Sequence, residues 1–166
     1  ESRKNSAIFT QLKKIAVIDL HSGLGPFSYG EVISDHPNNT AGFGFARSWY
    51  GANAMSSALG ESVSAPKTGL IDFFWHKLLG ERGCFVTLEF GTYSDKEMID
   101  TLIAEQRYFR RCRDSGEARN LNDASVLALR DFFYPADASW QQATLLRARQ
   151  IISMALNGLA QGDYFY

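Results

Sequence analysis

Two short apolar runs, far apart along the chain, most constrain what it can fold into. Residues 15–20 read IAVIDL and residues 84–90 read CFVTLEF, both rich in β-branched or aromatic side chains. That composition predicts buried strands of an α/β sheet. Between them, residues 69–79 (GLIDFFWHKLL) place Leu70, Phe73, Phe74 and Leu78 at helical spacing, with Gly80 to close the helix. A strand, a helix and a second strand form a right-handed crossover between parallel neighbours. The carboxyl ends of both strands then open on one rim, where ligands gather in open α/β sheets.

The residues at those ends carry chemistry. The first run closes on Asp19-Leu20-His21 and breaks into the turn residues Ser22-Gly23-Leu24-Gly25-Pro26. Asp19 and His21, two apart on a strand, point to the same face. A single His after a strand is ordinarily a hydrogen-bonded loop residue, so this ending needs a companion. The second run supplies one, closing on Glu89-Phe90-Gly91-Thr92-Tyr93. A neutral imidazole is a good zinc ligand, and a carboxylate beside it can deprotonate metal-bound water.

The rest of the chain reads as walls and scaffold. Residues 1–14 suggest the tail of a helix, with Ile8, Phe9 and Leu12 on one face. An extended piece at 29–34 leads into the polar turn 35–39, where His36 is expected to face solvent. Residues 41–66 are rich in Gly, Ser and Ala, with a short helix expected near 45–50 inside a long loop. Arg47, Trp49 and Tyr50 are the residues there that could meet a ligand; packing of an aromatic lid is the alternative. His76 reads as a surface or interface side chain. Ser94 or Asp95 can cap a helix to about Arg113, with Met98, Ile99, Leu102, Ile103 and Phe109 inside. Asn122 can cap another that carries Val126, Leu127, Leu129, Phe132 and Phe133, stopped by Pro135. Ser139 can cap the last, with Trp140, Ala143, Leu146, Ile151, Ile152 and Ala155 inside, ending at Gly158.

Composition narrows the function. At 166 residues the chain can bury a substantial core, and 12 Phe, 7 Tyr and 3 Trp mark it as globular. The net charge is −1, with arginines dispersed among acidic residues, which argues against a nucleic-acid partner. No apolar run approaches the ~18 residues of a membrane helix, so no membrane partner is expected. Cys84 and Cys112 lack zinc-knuckle or disulfide spacing, which suits buried thiols in a reducing compartment and a cytoplasmic location.

Three blocks extend this reading. VIDLHSGLGPFSYGEVI (17–33), ARSWYG (46–51) and LEFGT (88–92) resemble the zinc carboxypeptidase superfamily, which includes carboxypeptidase A and aspartoacylase-like deacylases. The nearest likeness is to a bacterial branch catalogued as a domain of unknown function. The resemblance implies part of a mixed, mostly parallel sheet flanked by helices, with a helical C-terminal portion. It implies zinc as cofactor, His21 as a zinc ligand and Glu89 as the base that activates water and passes the proton to the leaving group. Asp19 becomes a supporting group behind the ligand. Arg47 falls in the block that walls the substrate pocket, and Tyr29, Tyr50 and Tyr93 are candidates for a phenol near the substrate.

One part of the pattern is missing. The superfamily's other two zinc ligands come from an upstream H-x-x-E, but His21 is followed three residues on by Leu24, His36 by Asn39 and His76 by Leu79. The upstream arginines that grip a substrate carboxylate are absent too. The resemblance therefore implies that residues 1–166 are the C-terminal half of a single metallohydrolase domain. Its partners would be the missing N-terminal half, or a complementary chain, and a peptide or N-acyl small-molecule substrate. The covered half alone should neither bind zinc nor turn over substrate, and the strand at 15–20 should present an apolar sheet edge. The expected activity is hydrolysis of a peptide or amide bond. The alternatives are an N-acyl amino acid deacylase on the same fold, or a non-catalytic binding or scaffold protein that has lost the upstream ligands.

Overall fold

A computed structural model describes residues 11–65 and 67–161. Ile8 and Phe9, assigned above to an N-terminal helix, lie outside the described residues. The chain is α/β, with a mixed, mostly parallel sheet, four-stranded among the described residues, and long C-terminal helices. The strands are β1 (Ile15–Gly23), β2 (Gly30–Ile33), β3 (Ala54–Met55) and β4 (Gly83–Gly91), in the order β1-β4-β2-β3. The helices are α1 (Ala41–Tyr50), α2 (Ile71–Leu79), α3 (Asp95–Ser115), α4 (Ala124–Phe133) and α5 (Ala138–Ala160), with a 3-10 turn at Gly51–Asn53.

The two predicted strands are both present and are neighbours. They run in the same direction. Ile15 N–H donates to Arg82 O at 2.8 Å near their starts, and Thr92 Oγ1 donates to Gly23 O at 3.2 Å near their ends. β4 is buried almost throughout, and Phe85, Val86 and Leu88 are each at most 1% exposed. Burial of that kind is worth about 1.5–3 kcal/mol per side chain.

β1 departs from expectation in two ways. Placed at the sheet edge among the described residues, as expected of 15–20, it is half-buried rather than buried, and Leu20 is 60% exposed. It also continues through His21 and Ser22 to Gly23, so the glycine loop starts later than the turn residues imply. β2 and β3 pair in parallel, Val32 opposite Ala54 and Ile33 opposite Met55. β3 carried no sequence signal at two residues' length.

Two compact units divide the chain: Glu1–Leu20, Glu31–Leu88 and Ala148–Tyr166 in one, His21–Gly30 and Glu89–Arg147 in the other. In the first, Ile15, Leu79 and Phe85 form a core cluster with Val17 and Trp75 packed against it. Thr40 caps α1, its side chain accepting from Phe43 N–H. In the second, Ser94 and Glu97 form a reciprocal capping box at the start of α3, and Asp123, not Asn122, caps α4 by accepting from Ser125 N–H. α5 begins one residue before Ser139, with Asp137 Oδ1 accepting from Trp140 N–H at 2.8 Å.

The helices exist where periodicity placed them, but two present a different face. α2 buries Asp72 and Leu79, with Trp75 and His76 half-buried between them, whereas Phe73 and Phe74 are 44% and 61% exposed. The inward stripe is 72-75-76-79, which carries two polar residues and so looked like the outer face. α3 likewise buries Tyr108 and Cys112 and leaves Ile99, Leu102, Ile103 and Phe109 exposed. In α5, Trp140, Ile151 and Ala155 are buried as predicted, while Leu146 and Ile152 are exposed. Both cysteines are free and buried.

α5 also continues past its predicted stop at Gly158, because that glycine seats the helix on an aromatic ring. A Cβ there would lie 2.3 Å from Trp49 Cγ. Alanine at an ordinary helical glycine stabilises by about 1 kcal/mol. Overpacking typically costs about 1–3 kcal/mol, so the clash wins here. Gly158→Ala is expected to lower the urea midpoint by an amount equivalent to up to about 2 kcal/mol. A raised midpoint would show that the α5–Trp49 contact is looser than described.

Candidate functional site

The carboxyl ends of β1 and β4 lie side by side in the second unit, and the glycine loop grows out of the first of them. Glu89 is the third residue from the end of β4 and only 8% exposed. Its Oε1 accepts a hydrogen bond from Leu24 N–H at 3.0 Å, three residues after His21. Gly23 has room for this approach: a Cβ there would lie 3.8 Å from Glu89 Oε1 and 3.2 Å from the Phe133 ring. His21 is exposed, two residues from the end of β1. An exposed imidazole and a buried, backbone-held carboxylate therefore share one rim.

The loop beneath them is tied down at several points. Ser22 Oγ donates to Phe133 O at 2.6 Å. Gly91 exchanges backbone hydrogen bonds with the far side of the loop: Ser28 N–H donates to Gly91 O at 3.1 Å, and Gly91 N–H donates to Tyr29 O at 2.9 Å. Trp140 Nε1 donates to the same Gly91 oxygen at 2.8 Å, and Arg147 Nε donates to Gly30 O at 3.0 Å. Ser28, at φ 66°, is the only non-glycine residue of positive φ among those described. Such a conformation costs ordinary residues about 1–2 kcal/mol, and these bonds hold it in place.

Of the proposed phenols, Tyr29 and Tyr93 belong to this unit. Tyr29 is 47% exposed. Tyr93 packs on Phe27 at 5.7 Å between ring centroids, and its hydroxyl meets Asp131 Oδ2 at 3.3 Å. Burial, followed by the charge of Asp131, pushes its pKa above the ordinary phenol value. A neutral phenol donating to Asp131 is the form this favours.

The remaining candidates belong to the other unit. Tyr50 is fully buried with its hydroxyl unpartnered, and burial above all raises its pKa. It is a core residue there. Arg47 is paired with Glu61 Oε2 at 2.7 Å, and its guanidinium lies 5.3 Å from the Phe43 ring centroid. Asp19 is half-buried on β1.

His36 corrects the sequence reading outright. It does not face solvent: it is 3% exposed, and its Nε2 accepts from Phe85 N–H of β4 at 3.0 Å. Its ring stacks on His76 at 3.7 Å, inclined by 29°. Burial, followed by the His76 charge, lowers its pKa to about 3. The polar turn around His36 concealed this, and the one available signal was weak. It is Gly42, where a Cβ would lie 2.2 Å from the His36 ring.

No three His, Cys, Asp or Glu side chains cluster as metal ligands among the described residues. Catalytic zinc takes three protein ligands. His21 and Glu89 alone are too few to hold the ion. No helix of the described residues is long and apolar enough to cross a membrane.

Comparison with known proteins then places the chain. Residues 4–147 match the family described as "Protein of unknown function (DUF2817)". The chain belongs to that family. No curated protein and no solved structure matches it. The match takes in both strand ends and the loop, so the rim of this DUF2817 chain lies wholly within its family region.

The contact that shapes the rim is testable. A Cβ on Gly91 would lie 2.1 Å from Pro26 O and 2.4 Å from Gly25 O, both backbone atoms. Gly91→Ala is expected to destabilise by about 1–3 kcal/mol and to shift the Leu24 amide resonance as the loop moves. An unchanged urea midpoint with an unmoved Leu24 signal would contradict the close approach.

Proposed function

We propose that this DUF2817 protein is a zinc-dependent hydrolase of a peptide or amide bond, related to the zinc carboxypeptidases. The observation that carries the reading is the placement of Glu89: a buried carboxylate at the end of the central strand, held by the Leu24 N–H, on the rim where β1 delivers His21. The three blocks DLHSGLGP, ARSWYG and LEFGT support it, since two of them contribute the rim itself.

In this reading Glu89 accepts the proton of the attacking water and returns it to the leaving nitrogen, the work of a positioned general base and acid. His21 would offer one metal ligand, and no cluster of three ligating side chains exists among the described residues. When bound, zinc would polarise the scissile carbonyl and lower the pKa of water toward ~7. Tyr29 is close enough along the chain and exposed enough to meet a substrate on this rim, while Arg47 and Tyr50 gain no support, being engaged with Glu61 and buried in the core. Two other readings stay open. An N-acyl amino acid deacylase would use the same rim, and a scaffold protein would keep the fold without the metal.

The test uses the protein as its gene encodes it, with zinc measured by atomic emission and hydrolysis assayed on peptides and on N-acyl amino acids. Glu89→Gln is expected to keep zinc and lose at least ~100-fold in turnover, within the range of acid–base catalysis. His21→Ala is expected to lose zinc. Near-normal activity of Glu89→Gln would remove Glu89 from the reaction. A wild-type protein without zinc or activity would favour the scaffold.

A further inference from the structure

Two imidazoles that the proposed chemistry does not use are held together inside the first unit. We propose that the stacked His36–His76 pair is an acid-sensitive latch that fastens α2 while both rings are neutral and releases it when they gain protons. The geometry leaves neither ring a comfortable place for a charge. His36 Nε2 is occupied as an acceptor by Phe85 N–H, so its proton must sit on Nδ1, and a second proton would break the bond to β4. The first turn of α1 closes the other side of the ring at Gly42. His76 has both ring nitrogens buried without a hydrogen-bond partner. It is gripped by His36 at 3.7 Å, with Phe73 and Phe85 edge-on at 5.9 and 6.3 Å.

The charged and titratable neighbours come from every surrounding element. Asp72 and Lys77 lie on α2, Asp35 in the turn before His36, Cys84 on β4, Glu81 after α2 and Lys67 in the loop before it. Asp35 is committed to Ser57, accepting from its N–H at 3.2 Å and from its Oγ. Asp72 accepts from Phe73 N–H at 2.8 Å. Both carboxylates favour a charged His76, yet burial outweighs them and its pKa is lowered. A protonated His76 can satisfy its new N–H only by turning away from the stack, toward a carboxylate or water.

The sign follows from linkage. Both imidazoles bind protons more weakly folded than unfolded, so the packed arrangement loses stability as pH falls below the ordinary His value of about 6.5. For His36 that loss continues down to about 3. Burial raises the pKa of Asp72, which acts in the opposite direction, favouring the packed state as the carboxyl takes up a proton. The opening therefore belongs between the imidazole and the carboxylate ranges.

Hydrogen exchange of the α2 amides, corrected for intrinsic rates, reads the latch directly. In the wild-type chain, protection of residues 71–79 is expected to fall about tenfold between about pH 7.5 and pH 5, against a smaller change in β4. His76→Phe keeps a ring in the stack but removes one of the two titrations, and its α2 protection is expected to fall by clearly less than in the wild type over that range, His36 supplying the remainder. Should that variant fail to fold, imidazole NMR of the wild type decides. His76 and the α2 amides are expected to titrate together, with a midpoint below the ordinary His value. Titration of His76 with α2 unmoved, α2 protection unchanged at pH 5, or equal opening in His76→Phe would each overturn the proposal.

Discussion

The parallel pairing of β1 with β4 is the constraint on which the rest of the structure depends. The two backbones meet closely at both ends, and glycine permits it at each. A Cβ on Gly83 would sit 1.8 Å from Ile15 O, and one on Gly91 would sit 2.1 Å from Pro26 O. Side chains there would force the strands apart and carry the glycine loop away from the strand ends. With hydrogen in their place, the sheet stays in register, Leu24 N–H reaches Glu89, and Thr92 reaches Gly23. The rim is a consequence of this pairing more than of any one polar residue.

Much of this was visible in the residues. β4 announced itself because its residues are buried on both faces, so the sequence CFVTLEF needs no alternation to read as a strand. The helix starts at Ser94 and the stop at Pro135 follow from side-chain capping and from the missing proline N–H, both local effects. The inward faces of α2 and α3 were not visible, because tertiary packing chose stripes that carry Asp72, His76, Thr101 and Glu105 over more apolar ones. Hydrophobic periodicity can only rank faces by polarity, and it fails where a polar side chain is buried with a partner or held by neighbouring rings. His36 is the clearest instance: a turn sequence said solvent, but a strand N–H and an aromatic stack drew the ring inside.

The same residue type thus does different work in two places. His21 is exposed at a strand end. His36 and His76 are enclosed, and there an imidazole serves as a flat, weakly polar packing unit whose neutral form burial favours. Which role a histidine takes was decided by burial and by the nearest backbone donor, neither of which spacing along the chain reveals. The carboxylates divide in the same way. Glu89 is buried at the rim with a backbone donor, whereas Glu97 is spent on capping α3.

The central claim is that the ends of β1 and β4 form one functional rim. The most direct measurement is a crystal structure of the gene-encoded protein grown with zinc, with the ion located by anomalous scattering. The account predicts a single strong peak about 2 Å from an imidazole nitrogen of His21, with the Glu89 carboxylate facing it across the space of one water molecule. A zinc bound elsewhere, or His21 and Glu89 turned to opposite faces of the sheet, would contradict it.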